Sequence, residues 1–199
     1  MINNFDKIID ILDFTEGDFY YIMIYKRSKD IIGLKSHQKT RIIKTYTIQS
    51  KEEYLFIKDD IIKICQALNA RCGISTNRYN FKKLGFRIIN RMIDSIENNI
   101  YNYKYLFDKV VGKDISIITQ KRILIDLDEK DQSKLLLLNE FIETKTLYNN
   151  SKIYLTVETN NGYHLLCSKI NTKEFEIFIK EYDINAQIHK NNFLALYYP

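Results

Sequence analysis

Tryptophan is missing from this 199-residue chain, proline occurs once and glycine six times. With the two residues that punctuate turns so scarce, elements have to be placed by periodicity and capping instead. Cysteine is sparse too. Cys65, Cys72 and Cys167 are odd in number, far apart and each set in an apolar pattern, which fits reduced core thiols and excludes a disulfide framework. No CxxC pair is present, which argues against a structural zinc site. No window approaches the roughly 20 apolar residues that a bilayer-spanning helix needs. The opening MINNFDKIIDILDF lacks the basic region and small-residue cleavage site of a signal peptide. A soluble, cytoplasmic protein without a membrane partner is expected.

Acidic residues are missing from one long stretch. Residues 61–93 contain none, while Lys63, Arg71, Arg78, Lys82, Lys83, Arg87 and Arg91 all fall there. Residues 26–51 carry eight basic side chains against the single Asp30, and residues 1–18 hold five acids against one lysine. The net charge of +5 is therefore strongly polarised. Such a field attracts polyanions by counterion release, although a basic helix flank at 82–91 also reads as a solvated face. The abundance of Ile, Lys, Asn and Tyr is the signature of an AT-rich genome and says nothing about fold.

Apolar spacing at Phe5, Ile8, Ile9 and Leu12 predicts a helix that ends before Gly17. DFYYIMIYK (18–26) and RIIKTYTI (41–48) read as strands. His37 lies in the polar loop between them and is not a site candidate. Ser50 and Glu53 form a capping box for a helix to about residue 69, with Leu55, Ile57, Ile61, Ile64, Cys65 and Leu68 inward. After a short strand at 71–76, Asn80 caps a long helix to about residue 98. Its expected core stripe is Phe81, Leu84, Ile88, Ile89, Met92 and Ile96, with the basic residues outward. YKYLFDKVVG, ending at Gly112, predicts a further helix.

The remainder reads as a strand at RILIDL, a Leu-rich helix over 132–145, a hairpin over 152–167, a helix over 172–182, and short strands near 187 and 193–198. That order, β-α-β-β-α-β, is the split βαβ or ferredoxin-like arrangement. The expected fold is α+β. An RRM-like, split βαβ mixed sheet over 116–199 carries the motifs described next, and an N-terminal αβ lobe with a basic surface covers 1–115. The joint is expected around residues 112–120.

Two motifs carry chemistry. RILIDLDEKD places Asp126 and Asp128 at spacing two, on one face of a strand. Hard divalent cations at phosphoryl-transfer sites take one or two carboxylates and leave the remaining positions to phosphates and water. The same DxD also reads as an acidic strand-to-helix turn, with Glu129 and Asp131 as loop acids or caps. TVETNNGYHLL then brings His164 onto a neighbouring strand, where it can bond a phosphate or carry a proton if it shares the face of the acids. Glu158 in the same hairpin is a candidate third carboxylate or a salt-bridge partner.

Together, Asp126-Leu127-Asp128 and Gly162-Tyr163-His164 resemble motifs I and II of the archaeo-eukaryotic primase superfamily, in its small phage or mobile-element form. The resemblance implies Mg2+ or Mn2+ held by Asp126 and Asp128, with His164 against the incoming nucleotide's phosphates. It also implies nucleoside triphosphates and a nucleic-acid template as partners, and a helicase as a possible replication partner. NARCGISTNR (69–78) resembles the strand with flanking arginines of some phage primase-like proteins, which implies Arg71 and Arg78 facing substrate phosphate. Lys82 and Lys83 are expected to join those two arginines in gripping nucleic acid.

The superfamily's third motif is a carboxylate on a later strand, and AQIHK and NFLALYYP contain none. Either Glu158 substitutes, or His189 and Lys190 take that region, with Lys190 on nucleotide phosphate, or catalysis is lost. The alternative is therefore a degenerate relative that binds nucleic acid or a host protein. A nuclease using the same acids is a third reading.

Overall fold

The computed structural model describes residues 1–27, 40–100, 103, 106–144 and 153–199. His37 and most of the cationic segment between the first two predicted strands lie outside these, as do the start of the YKYLFDKVVG helix and the end of the Leu-rich one. Among the described residues the chain is α+β, with two antiparallel sheets and six helices.

The first sheet has the order β1 (Ile2–Asn3), β10 (Phe193–Tyr198), β4 (Arg71–Ser75), β2 (Asp18–Arg27), β3 (Thr40–Ile48), and β5 (Tyr79–Asn80) also pairs with β2. β2 is apolar on both sides because both its faces are covered. One face packs Tyr20, Ile22 and Ile24 against α1 (Phe5–Ile9) and α2 (Lys51–Leu68). The other packs Phe19 and Tyr21 against α3 (Phe81–Glu97) and α4 (Leu106–Lys113). α1 is shorter than the sequence pattern suggests.

The Ser50 half of the predicted capping box is present, while Glu53 reaches one residue further back, to Gln49. Ser50 Oγ accepts the Glu53 N–H at 3.1 Å, and Glu53 accepts the Gln49 N–H at 2.6 Å. The inward stripe of α2 differs from expectation: Tyr54, Ile61 and Cys65 are buried, whereas Leu55 and Leu68 are exposed. α3 departs further. Its body-facing side is Phe81, Leu84 and Ile88, while Ile89, Met92 and Ile96, expected inward, face solvent.

The second sheet is β7 (Ile153–Glu158), β8 (Tyr163–Cys167), β6 (Ile123–Leu127), β9 (Ala186–His189), in that spatial order. With α5 (Gln132–Thr144) and α6 (Thr172–Glu181) as the crossovers, this is the split βαβ topology expected from the sequence. Every strand pairing is antiparallel, so the sheet is not mixed in direction. β10 leaves this unit and pairs with β1 and β4 of the first sheet.

Alternation along β6 decides which side chains meet which layer. Ile123, Ile125 and Leu127 face α5 and α6, with Leu138, Phe141 and Phe175 filling the space between. Leu124 faces the other way and joins Leu166, Val157, Ile22 and Cys72 in the core that unites the sheets. Burying each such aliphatic side chain contributes about 1.5–3 kcal/mol. Polar staples add to this junction. The Asn4 amide donates to Glu158 O at 3.1 Å and Ala195 O at 2.9 Å. Asn77 accepts the Arg122 N–H at 2.7 Å and donates to Arg122 O at 3.1 Å. Cys65, Cys72 and Cys167 are free and buried, in line with their reading as core thiols.

Candidate functional site

Asp126 lies on the same side of β6 as Leu124, away from the helices. Its register partner on β8 is His164 and its partner on β9 is Gln187. The imidazole therefore stands in front of the sheet with the acid. His164 Nε2 is 3.4 Å from Asp126 Oδ1, with the histidine nearly buried and the carboxylate a quarter exposed. His164 Nδ1 accepts the buried Ala195 N–H at 3.1 Å. An imidazole nitrogen that accepts a hydrogen bond carries no proton, so the neutral ring bears its proton on Nε2 and presents it to Asp126. The β10 backbone thus sets both the tautomer and the aim of His164.

Other charges converge on this acid. Burial acts to raise the Asp126 pKa, but the His164 hydrogen bond and the fields of His189 and Arg27 outweigh it and hold the carboxyl below its ordinary value. His189 reaches the same face because it pairs with Leu124, two residues before Asp126. Arg27 ends β2 of the other sheet. Its burial disfavours the charge, but Tyr25, Tyr198 and Asp126 raise its pKa. Arg27 had no role in the sequence reading, and His189 entered it only as a strand histidine in the region of the missing third carboxylate. Only the pairing of β9 with β6, and the approach of two sheets remote in sequence, brings them to the acid.

Asp128 directly follows β6 and is exposed, and its N–H donates to Asn185 O at 2.9 Å. That bond carries the β6–β9 register one residue past the strand, after which the Asn185 N–H turns to Glu129. Glu129 and Asp131 are structural, as expected of loop acids and caps. Glu129 binds Lys134 at 2.9 Å and accepts the Asn185 N–H at 2.9 Å. Asp131 accepts the Ser133 N–H at 2.8 Å at the start of α5.

The turn before His164 explains the small residue in the GYH motif. A Cβ at Gly162 would lie 1.8 Å from Leu127 O and 2.7 Å from Glu129 N. Both are backbone atoms, so only glycine lets the hairpin close over the end of the aspartate strand.

The remaining predicted residues are dispersed. Glu158 pairs with Tyr163, whose ring belongs to the helix-side core, so it projects to the opposite face from Asp126 and His164. Arg78 is taken up by the segment before β2: it donates to Asp13 O at 3.0 Å and Thr15 Oγ1 at 2.6 Å and pairs with Asp13. Arg71 stacks over Tyr198 at 5.2 Å from the ring centre. Lys82 and Lys83 are exposed in the first turn of α3, and Lys190 is exposed beyond β9.

Among the described residues no three His, Cys, Asp or Glu side chains converge as a metal cage. The two carboxylates at the end of β6 still fit a hard cation of the substrate-completed kind, in which phosphates and water supply most ligands. His164, with its proton on Nε2, fits the role of carboxylate partner better than that of metal ligand. No helix among the described residues is long and apolar enough to cross a membrane. Set against family models, curated proteins and solved structures, the chain matches none of them.

Proposed function

We propose that this chain is a primase-polymerase-like protein that performs metal-dependent nucleotidyl transfer on a nucleic-acid template. The observation that carries the reading is the register pairing of Asp126 with His164 on the face of a split βαβ sheet that meets the first sheet, where the Asp126 carboxylate stays a quarter exposed, with His189 and Arg27 alongside. Bound Mg2+ or Mn2+ would neutralise triphosphate charge and ease ionisation of the attacking hydroxyl. Asp126 and Asp128 would hold that cation. His164 keeps the Asp126 carboxylate fixed through Nε2–H, Arg27 supplies positive potential for phosphate oxygens, and His189 adds a polar ring on the same face. The primer hydroxyl oxygen bonds the α-phosphorus, the bond to pyrophosphate breaks, and the hydroxyl proton leaves to solvent.

Primer extension by the Asp126→Ala/Asp128→Ala double variant tests this. Extension should be abolished while the urea unfolding midpoint stays within the folded range. Unchanged extension would refute the assignment.

A second reading has its own support. Among the described residues no third carboxylate joins Asp126 and Asp128, so a non-catalytic relative that uses the basic surface to bind nucleic acid is consistent with the same geometry. It predicts DNA or RNA binding without metal and no nucleotide incorporation. In either case affinity should fall steeply with salt, since phosphate contacts release counterions.

A further inference from the structure

The basic helix α3 has two apolar faces, and the sheet uses only one. Phe81, Leu84 and Ile88 pack on the body of the protein, and Arg87 bonds Ser116 at 2.9 Å and pairs with Asp114 at 3.2 Å on the same side. On the adjoining flank Phe86, Ile89, Ile93 and Ile96 are 58, 54, 48 and 54 % exposed. Their spacing of three, four and three residues is that of a helix–helix seam, positions a, d, a and d of a heptad. Exposed apolar stripes of this regularity mark interaction surfaces.

From the seam and the charges around it, we propose that α3 pairs antiparallel with α3 of a second copy of this chain. In an antiparallel pair each a position layers against a d position of the partner helix. Phe86 then packs on the second copy's Ile96, and Ile89 on its Ile93. This register is self-complementary about a two-fold axis, as a closed dimer requires. It brings Lys83, one residue after a d position, to Glu97 at the equivalent flanking position of the other helix, and does so twice by symmetry. Asn90 and Met92 meet their own copies at the axis, so no like charges oppose one another there.

The charge order along α3 supports the direction. Lys82, Lys83, Arg87 and Arg91 occupy the first part of the helix, and Asp94 and Glu97 the last. That order opposes the helix dipole, which favours acids at the N-terminus and bases at the C-terminus. Antiparallel pairing sets each basic end against an acidic one and offsets the conflict; parallel pairing would stack like charges.

The test is sedimentation equilibrium of the full chain, with disulfide trapping. The native chain should be a dimer whose affinity weakens at least about tenfold in Lys83→Glu and recovers in Lys83→Glu/Glu97→Lys. Ile89→Asp/Ile93→Asp should be monomeric with an unchanged circular dichroism spectrum, because both positions are exposed. Asn90→Cys should cross-link to itself under oxidation and Lys83→Cys should not. A monomeric native chain, or self-cross-linking of Lys83→Cys, would overturn the proposal; so would an apolar face that instead captures a different protein while the chain stays monomeric.

Discussion

His164 stands 3.4 Å from Asp126 through Nε2 while its Nδ1 accepts the Ala195 N–H at 3.1 Å, so one imidazole links the carboxylate of the second sheet to the backbone of the first. Water cannot replace the Ala195 contact without opening the junction, because His164 and Ala195 are both buried.

Replacing His164 by alanine therefore has a structural cost besides a functional one. It leaves the Ala195 N–H without its acceptor and Asp126 without its donor. A stranded buried group costs about 1–3 kcal/mol, and the lost packing adds to that. Urea denaturation of His164→Ala should show a loss of at least about 2 kcal/mol. A loss below roughly 0.5 kcal/mol, the range of ordinary surface substitutions, would mean that the ring is not held as described.

Acid stability should depend on Asp126. Its folded-state pKa is lowered, because the His164 bond and the fields of His189 and Arg27 outweigh the opposing effect of burial. A depressed carboxyl contributes stability that is fully present above the unfolded value, about 3.9. That contribution is lost as pH falls through the folded value. Asp126→Asn should thus be less stable than the native chain near neutrality, and the gap should close as pH drops below about 4. A gap that stays constant across that range would show that Asp126 is not stabilised as an anion.

Gly162→Ala tests the turn that closes over the aspartate strand. The added methyl would overlap Leu127 O and Glu129 N, and backbone at a strand end has no flexible tip that can swing aside. Loss of about 3 kcal/mol or more is expected, together with displacement of Asp128 and weaker metal binding. A variant with native stability and native manganese affinity would remove the turn from the account.

The fold was legible where local signals agree with tertiary demands. The β6-α5-β7-β8-α6-β9 order could be read because each strand alternates and the turn before His164 carries Asn160, Asn161 and Gly162. Whether His164 shares the face of Asp126 stayed conditional in the sequence, because the register of β8 against β6 joins strands separated by α5 and β7. The same alternation, counted from Tyr163 back through the turn, would have sent Glu158 to the other face. What was not legible depends on contacts far apart in sequence. β10 pairs with β1 and β4 instead of extending the second sheet, and its Ala195 N–H fixes the histidine. Arg27 reaches Asp126 only because the two sheets meet. In α3 the periodicity announces apolar stripes, but nothing local says that the Leu84 side packs inward and the Ile93 side does not.

The central claim is that the Asp126 face binds a nucleoside triphosphate together with a divalent cation. Isothermal titration calorimetry of the native chain and Asp126→Asn with manganese and a nucleoside triphosphate tests it most directly. The account predicts metal-dependent binding by the native chain that falls by at least about tenfold, or roughly 1.4 kcal/mol, in the variant. Equal affinity in both proteins, or nucleotide binding by the native chain that is indifferent to metal, would contradict it.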